Sequence, residues 1–441
     1  MKRASWSTAL AYGAPIFGLS APFFVVQFYL LNFGTDVLGI APAVMGGLLA
    51  LSRLWDGISD PLAGMLSDRT RTAIGRRRPW MLVAAPSLGL GYIALWSPPS
   101  GLSQPALQLW ILGALLFYVT AFTAWMIPNL ALGAELSEDH HERSRIFGIR
   151  SFSWGVGVFL SFVGMQLISN APDPRAAAST LSKALFVPTT LLLLIPPLLV
   201  RERTDRPQRR TRALFRPWVD VLQNPSARRL LGVWGLDQAA FAVQGILAPF
   251  FIIYVLKRPD LIGVIPLAFF LPSTLTVPLW TVLSRRLGKR ETSMIAMALA
   301  TAGFGGVWFV GENDLLLDVF VLILAGTGSG CVTALGPSML ADVIDGDELR
   351  TGERREGIYA SAWQFIIKAA NAAIALLVGL ALDLSGFVAG EDLIPSANVT
   401  LRAIFAGLPV AAFGWGILLL RGYRLDEAEH ARIRMELIRG Q

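Results

Sequence analysis

Apolar residues recur along this chain in long runs, near 8–34, 42–66, 79–97, 106–134, 146–170, 183–200, 229–256, 261–284, 292–311, 315–341, 357–382 and 401–420. A helix needs roughly 20 mostly apolar residues to cross about 30 Å of hydrocarbon. The pattern therefore predicts twelve membrane-spanning helices joined by short polar segments. The sixth run is the least regular, because Pro188, Pro196 and Pro197 dispose it to kink or shift.

Polar segments then orient the spans. Arg69, Arg71, Arg76, Arg77 and Arg78 follow the second run. A dense basic stretch follows the sixth, with Arg201, Arg203, Arg206, Arg209, Arg210, Arg212, Arg216, Arg228 and Arg229. Arg285, Arg286, Lys289 and Arg290 follow the eighth. The opposite connections are nearly bare of cations: Pro98 to Gln104 has no charge and Glu312 to Asp318 is acidic. Lys and Arg concentrate on the cytoplasmic side, so the pattern predicts a multi-pass protein of the cell inner (cytoplasmic) membrane with both termini cytoplasmic. Lys2-Arg3 before an apolar run suggests a signal peptide, but the run is too long and lacks a small-residue cleavage site, so it reads as a retained first span.

Composition agrees. Of 441 residues, 54% are hydrophobic and 16% charged, with mean hydropathy +0.55; soluble domains carry roughly 25% charged residues. So apolar a surface needs lipid as part of its solvent. The 42 glycines and 26 prolines fit membrane helices. The net charge of +7 sits in the basic connections, so it reflects topology and not a nucleic-acid footprint. One cysteine, Cys331, excludes an intramolecular disulfide and reads as a small core residue. The histidines His140, His141 and His430 lie in polar segments, and no Cys/His cluster suggests a metal.

The long basic connection divides the chain into an N-terminal six-helix half (1–200), a cytoplasmic linker (201–228), a C-terminal six-helix half (229–422) and a tail (423–441). Ser67-Asp68-Arg69 with Gly75-Arg76-Arg77-Arg78 is repeated faintly by Ser284-Arg285-Arg286 with Gly288-Lys289-Arg290. Two parallel halves mark the major facilitator architecture, an all-α integral membrane fold.

Charges at membrane depth cost about 2.5–3.5 kcal/mol each on insertion scales and usually mark ion or substrate paths. The second span holds Arg53, Asp56 and Asp60, which helical spacing puts on one face. Two carboxylates beside one arginine leave a spare negative charge suited to a proton or Na+, the alternative being an ion-pair network that locks helices. The eleventh span offers Gln364, Lys368 and Asn371 on one face. A mid-span lysine needs a carboxylate partner or must lose its proton, and the Asp56/Asp60 face is the economical partner; snorkelling to an interface is the alternative. Asp237 and Gln238 in the seventh span lie near its basic end, so a solvated or gating role competes with binding. Arg150 lies deeper than Arg145 in the fifth span with Ser153 and Trp154 on its face, or serves as a helix-end cation. Trp125 in the fourth span is suited to stacking on a sugar ring or to plain packing.

The stretch Arg53-Leu54-Trp55-Asp56-Gly57-Ile58-Ser59-Asp60-Pro61 resembles the second-span signature of the glycoside–pentoside–hexuronide:cation symporter family (the melibiose-permease-like symporters). Similarity continues through Gly64-Met65-Leu66-Ser67-Asp68-Arg69-Thr70-Arg71 and Gly75-Arg76-Arg77-Arg78-Pro79-Trp80. Tyr12-Gly13, Thr35-Asp36-Val37-Leu38-Gly39, Ala341-Asp342-Val343-Ile344-Asp345 and Thr351-Gly352 match as well. The resemblance implies cation-coordinating roles for Asp56 and Asp60, as ligands of a metal ion if that ion is Na+. It implies a place near the cation site for Lys368, and sugar contact for Arg150 and Trp125. It also places Ser20 and Ala121 where the sugar symporters carry acids on spans one and four. Ser20, with the Gln364, Lys368 and Asn371 face, joins the expected substrate-binding set, and Thr120 or Thr123 is expected to replace the missing fourth-span oxygen. A pocket with Arg150, Lys368 and fewer acids favours an anionic or amphiphilic substrate.

The sequence therefore predicts a cation-coupled symporter of a sugar, glycoside or hexuronide acting by alternating access. Expected partners are a small-molecule substrate, a coupling Na+ or H+ and the lipid bilayer, with no other cofactor and no nucleic acid, the protein working as a monomer. The alternatives are a cation-coupled carrier of an amphiphile or organic anion, a membrane-embedded enzyme, or a channel. No paired nucleophile and base, HExxH or phosphate-cradling loop supports an enzyme, and nothing resembles a selectivity filter. Gly326-Thr327-Gly328-Ser329-Gly330 lies within an apolar run and predicts close helix packing. Glu427 to Arg439 predicts a short polar helix, solvated or lying on the membrane surface.

Overall fold

A computed structural model describes residues 5–137, 139–200, 202, 221–312, 314–353, 355–423, 425 and 427–439. The basic-connection arginines Arg201, Arg203, Arg206, Arg209, Arg210, Arg212 and Arg216 lie outside the described residues.

Helices dominate. The first span, Trp6–Val37, comprises α1 (Trp6–Gly13), α2 (Ile16–Asn32) and a π-helical turn, Phe33–Val37. The other spans of the first half are α3 (Pro42–Arg69), α4 (Arg78–Trp96), α5 (Gln104–Glu135), α6 (His140–Ser169) and α7 (Pro174–Leu199). In the second half come α8 (Pro225–Phe250), the bent pair α9 (Leu267–Leu275) and α10 (Val277–Leu287), and α11 (Lys289–Val307). They are followed by α12 (Leu315–Thr351), α13 (Glu356–Leu384), α14 (Pro395–Arg402), α15 (Leu408–Arg421) and α16 (Glu427–Arg439).

Among the described residues 9 helices are long and apolar enough to cross a membrane, or up to 10 with the bent pair taken as one span. Helices α3 and α11 complete the twelve; both are long enough, at 28 and 19 residues, but carry charges. Five fall in α3 (Arg53, Asp56, Asp60, Asp68, Arg69), and Lys289, Arg290 and Glu291 open α11.

Three expected boundaries shift. The sixth span begins nine residues before 183, at Pro174, because Asp173 caps it by accepting from the Ala176 N–H at 3.0 Å. The eighth begins later than expected and bends by 47° between α9 and α10. Pro278 follows the break, where proline lacks an N–H and crowds the preceding turn. The twelfth begins at Pro395 and runs through a π-helical turn, Ala403–Gly407.

The chain forms two compact units, Met1–Gln208 with Pro259–Gly263, and Arg209–Arg258 with Val264–Gln441. Within each, the same partners pack. In the first, α2 lies on α6, α3 on α5, and α4 on both α5 and α7. In the second, α8 lies on α13, α9 on α12, and α11 on both α12 and α15. The faint repeat in sequence is also a repeat in structure. Gly75 and Gly288, just before α4 and α11, both take positive φ, +120° and +86°, where a side chain would be strained. The basic residues after them are held alike. Arg76 and Arg77 pair with Glu135 at the end of α5, at 3.0 and 2.9 Å, and Lys289 pairs with Asp342 of α12 at 2.5 Å.

The expected close packing at Gly326, Gly328 and Gly330 is present. A Cβ on Gly326 or Gly330 would meet the Phe269 or Ser273 carbonyl of α9, at 2.1 and 2.3 Å. On Gly328 it would meet the Ala296 carbonyl of α11 at 2.4 Å. The terminal helix departs from expectation. Instead of being merely solvated, α16 docks on α12, with Ile433 buried and His430 Nε2 3.1 Å from Asp345 and 3.5 Å from Asp342.

Candidate functional site

The polar stripe of α3 lies wholly inside the first unit. Arg53 and Asp56 are buried and form an i,i+3 pair, Nη1 to Oδ2 at 3.3 Å. Arg53 also donates through Nη2 to Gln27 Oε1 of α2, and its guanidinium lies over the Phe23 ring, 5.6 Å from the centroid. Phe23 is stacked on Phe122 of α5 at 4.7 Å and tilted against Trp154 of α6 at 5.7 Å. The arginine is therefore fixed by three kinds of contact: a carboxylate, an amide and an aromatic face.

One turn further along, Asp60 accepts a 2.8 Å hydrogen bond from the Thr123 hydroxyl of α5. Thr123 thus places a neutral hydroxyl against Asp60. Thr120, the other candidate, accepts from Trp55 Nε1 at 2.8 Å and donates to the Leu116 carbonyl. Between the two aspartates, the Ser59 hydroxyl is buried and has no hydrogen-bond partner among the described residues. The cluster brings two carboxylates, two hydroxyls and one guanidinium to neighbouring turns of α3 and α5. That is a donor set for a proton or a hard cation such as Na+. Among the described residues no group of three or more His, Cys, Asp or Glu residues is gathered as a metal site.

Gln27, Phe23 and Ser59 are absent from the sequence-derived set. Gln27 carried a signal, as a polar residue within an apolar span; Phe23 carried none, because its role depends on which way α2 faces.

Other expected residues fall elsewhere in the first unit. Arg150 is half-buried on α6 and donates to Met126 Sδ of α5 at 3.1 Å. Ser20 is fully buried in the α2–α6 crossing, donating to the Ile16 carbonyl at 3.1 Å. Gly157 packs so closely there that a Cβ would come within 1.8 Å of Ser20 Oγ. Trp125 is also fully buried and donates Nε1–H to the Leu193 carbonyl of α7 at 3.0 Å. Neither Ser20 nor Trp125 presents surface in this conformation.

In the second unit, Gln364 is exposed and Lys368 and Asn371 are half-buried along α13, with Asn371 donating to the Ile367 carbonyl at 2.8 Å. The neighbouring Trp363 stacks on Trp234 of α8 at 4.0 Å. Asp237 of α8, expected near a solvated end, is instead buried, with Gln238 Nε2 3.5 Å from its carboxylate.

Against known families, the profile described as MFS/sugar transport protein matches residues 11–427. The chain belongs to this family. It is a multi-pass membrane transporter and not an enzyme. It is similar to an uncharacterized symporter of Synechocystis sp., 28% identical over 98% of this chain and 96% of that one. It also resembles the isoprimeverose transporter of Lactiplantibacillus pentosus, 25% identical over 96% and 90% of the two chains. A third relative, the sodium-dependent lysophosphatidylcholine symporter 1 of Gallus gallus, is 26% identical over 92% and 83%. Among solved structures, the fold is similar to the nucleoside transporter NupG, with TM-score 0.66 and 14% identity over 95% of this chain and 100% of that one. A bacterial homologue of the human drug peptide transporters PepT1 and PepT2 gives TM-score 0.67 and 14% identity, over 94% and 97%. These structural likenesses establish the shared transporter fold.

Proposed function

We propose that the protein is a symporter that carries a sugar, glycoside or hexuronide across the cytoplasmic membrane by alternating access. The coupling ion is Na+ or H+, no other cofactor takes part, both termini lie in the cytosol, and the working unit is the monomer. The observation that carries this reading is the pair of carboxylates one turn apart on α3. Asp56 is braced by Arg53, and Asp60 is held by the neutral Thr123 hydroxyl. Charges at membrane depth are expensive and persist where they serve a path or a site. With two aspartates and one arginine, the stripe carries formal charge −1, which a cation neutralises. Within the first unit Arg150 supplies substrate contacts, and within the second the Gln364, Lys368, Asn371 face does so. Ser20 and Trp125 join the substrate set through rearrangement of their helices. Coupling requires the ion to raise substrate affinity, and the substrate then raises ion affinity by the same factor.

One observation favours a second reading, a carrier of an amphiphile or organic anion. Ser20 and Ala121 stand where the sugar symporters place acids, which removes acceptors for sugar hydroxyls, and the avian relative is named for a lysophospholipid.

Uptake by reconstituted liposomes tests both readings, with Na+ and pH gradients imposed separately and glycosides, hexuronates and lysophospholipids offered in turn. Gradient-driven accumulation that Asp56→Asn abolishes is the expected result, and the accumulated compound identifies the class. Uptake that runs only downhill and ignores Asp56→Asn would make the carboxylates structural.

A further inference from the structure

A cavity of about 490 Å³ opens on the first unit between the C-terminal end of α3 and the face of α4, with α5 as its floor. Pro79, Val83, Ala84, Phe117, Ala121 and Ala124 line it. The alanines make the depression, and Val83 and Phe117, 69% and 47% exposed, form its outer rim. It lies within the membrane-spanning stretch of α4 and α5.

We propose that this groove holds one acyl chain of an anionic phospholipid from the leaflet bordering the arginine-rich end of α3, with its phosphate on Arg69 and Arg71.

The hydrogen bonding of the lining decides the chemistry of the chain's end. Four polar side chains reach the groove: Thr70, Trp80, Ser87 and Thr120. Every donor among them is already committed. Trp80 Nε1 donates to Thr70 Oγ1 at 2.8 Å, Thr70 to the Leu66 carbonyl at 2.9 Å, Ser87 to the Val83 carbonyl at 2.8 Å, and Thr120 to the Leu116 carbonyl at 2.7 Å. A polyhydroxylated ligand would bury hydroxyls without donors to meet them, at a cost of roughly 1–3 kcal/mol each. A hydrocarbon chain has no such groups to leave unmet.

Charge decides the chemistry of the headgroup. Five arginines cluster at this end, but three are spent within the protein. Arg76 and Arg77 are held by Glu135, Glu202 and Asp68, and Arg78 donates to the carbonyls of Ile74, Pro197 and Leu198. Arg69 and Arg71 flank Thr70 at the mouth of the groove, are exposed, and form no ion pair among the described residues. Trp80 sits at the same level, where indole rings favour the border between headgroup and hydrocarbon.

Bromine on an acyl chain quenches tryptophan at short range, and Trp80 is a built-in reporter. The full chain is reconstituted with dibrominated phosphatidylglycerol or dibrominated phosphatidylcholine, and the Trp80 component is taken as wild type minus Trp80→Phe. The expected result is stronger quenching by phosphatidylglycerol, with a selectivity of roughly fivefold per arginine. Arg69→Gln with Arg71→Gln removes that selectivity, and Ala124→Leu or Ala121→Phe, which fill the groove, removes the quenching. Equal quenching by the two lipids, no Trp80 quenching, or quenching that survives groove filling in a folded variant would each overturn the proposal. The exposed arginine pair carries the test alone if groove-filling variants fail to fold.

Discussion

Thr123→Val removes one hydroxyl at nearly constant volume, and it tests whether α5 takes part in the cation site. The hydroxyl donates to Asp60 Oδ1 at 2.8 Å, with Thr123 2% exposed and Asp60 half-buried. A hydrogen bond to a charged group contributes about 1.5–3 kcal/mol. Since about 1.4 kcal/mol is a tenfold change and a donor to a carboxylate favours its charged form, the ion concentration giving half-maximal uptake should shift by roughly 10- to 150-fold, downward if the ion is H+ and upward if it is Na+, which loses a neutral oxygen ligand. The maximal rate at saturating ion should change little, because Asp56 and Asp60 remain. Thr123→Ser restores the hydroxyl and should return most of the wild-type ion dependence. Initial uptake rates in proteoliposomes, measured across a series of Na+ concentrations and then of external pH, give the number directly. A variant that transports with an unshifted ion dependence refutes the reasoning. So does a lower maximal rate at unchanged half-saturation, since that would make the Thr123–Asp60 contact only a brace between α3 and α5.

Other perturbations address the frame around that site. Gly157→Ala places a Cβ 1.8 Å from Ser20 Oγ and 2.8 Å from the Ala21 backbone nitrogen. Because backbone cannot step aside, it should destabilise by about 1–3 kcal/mol or more, read as a lower thermal midpoint in detergent; an unchanged midpoint would mean the α2–α6 crossing is looser than described. Arg77→Gln breaks contacts to Glu135 at 2.9 Å and Asp68 at 3.2 Å. With Arg77 buried, Glu135 half-buried and Asp68 half-exposed, the loss should lie at or below the lower end of the roughly 3–5 kcal/mol for a broken buried pair, and wild-type stability would contradict it. Ile433→Asp puts a charge into the α16–α12 contact, where Ile433 is 5% exposed. Limited proteolysis should then release the tail faster than in wild type, and equal rates would show that α16 docks through its ion pairs alone.

The spans were legible because the bilayer sets their length: a chain crossing hydrocarbon must satisfy its backbone internally and cover about 30 Å with apolar side chains. The second span was legible for the opposite reason, since Arg53, Asp56 and Asp60 violate that rule at helical spacing. The two-fold repeat could be read from Gly75 and Gly288, whose positive φ recurs before α4 and α11. The terminal helix was legible as a helix, but its docking through Ile433 and His430 was not, because its partner surface on α12 lies about 85 residues away in sequence.

Helix rotation was not legible at all. Thr120 and Thr123 are three residues apart on one apolar helix, and sequence weighed them equally as oxygen donors. Only the packing of α5 against α3 turns Thr123 to Asp60 and Thr120 to Trp55. The same rotation carries Trp125 to α7 and leaves Ala121 and Ala124 to floor a groove. A nearly all-round apolar helix has no strong hydrophobic direction of its own in lipid. The bilayer therefore fixes through sequence alone that α5 spans, and close packing against its neighbours fixes which of its residues meets the charge.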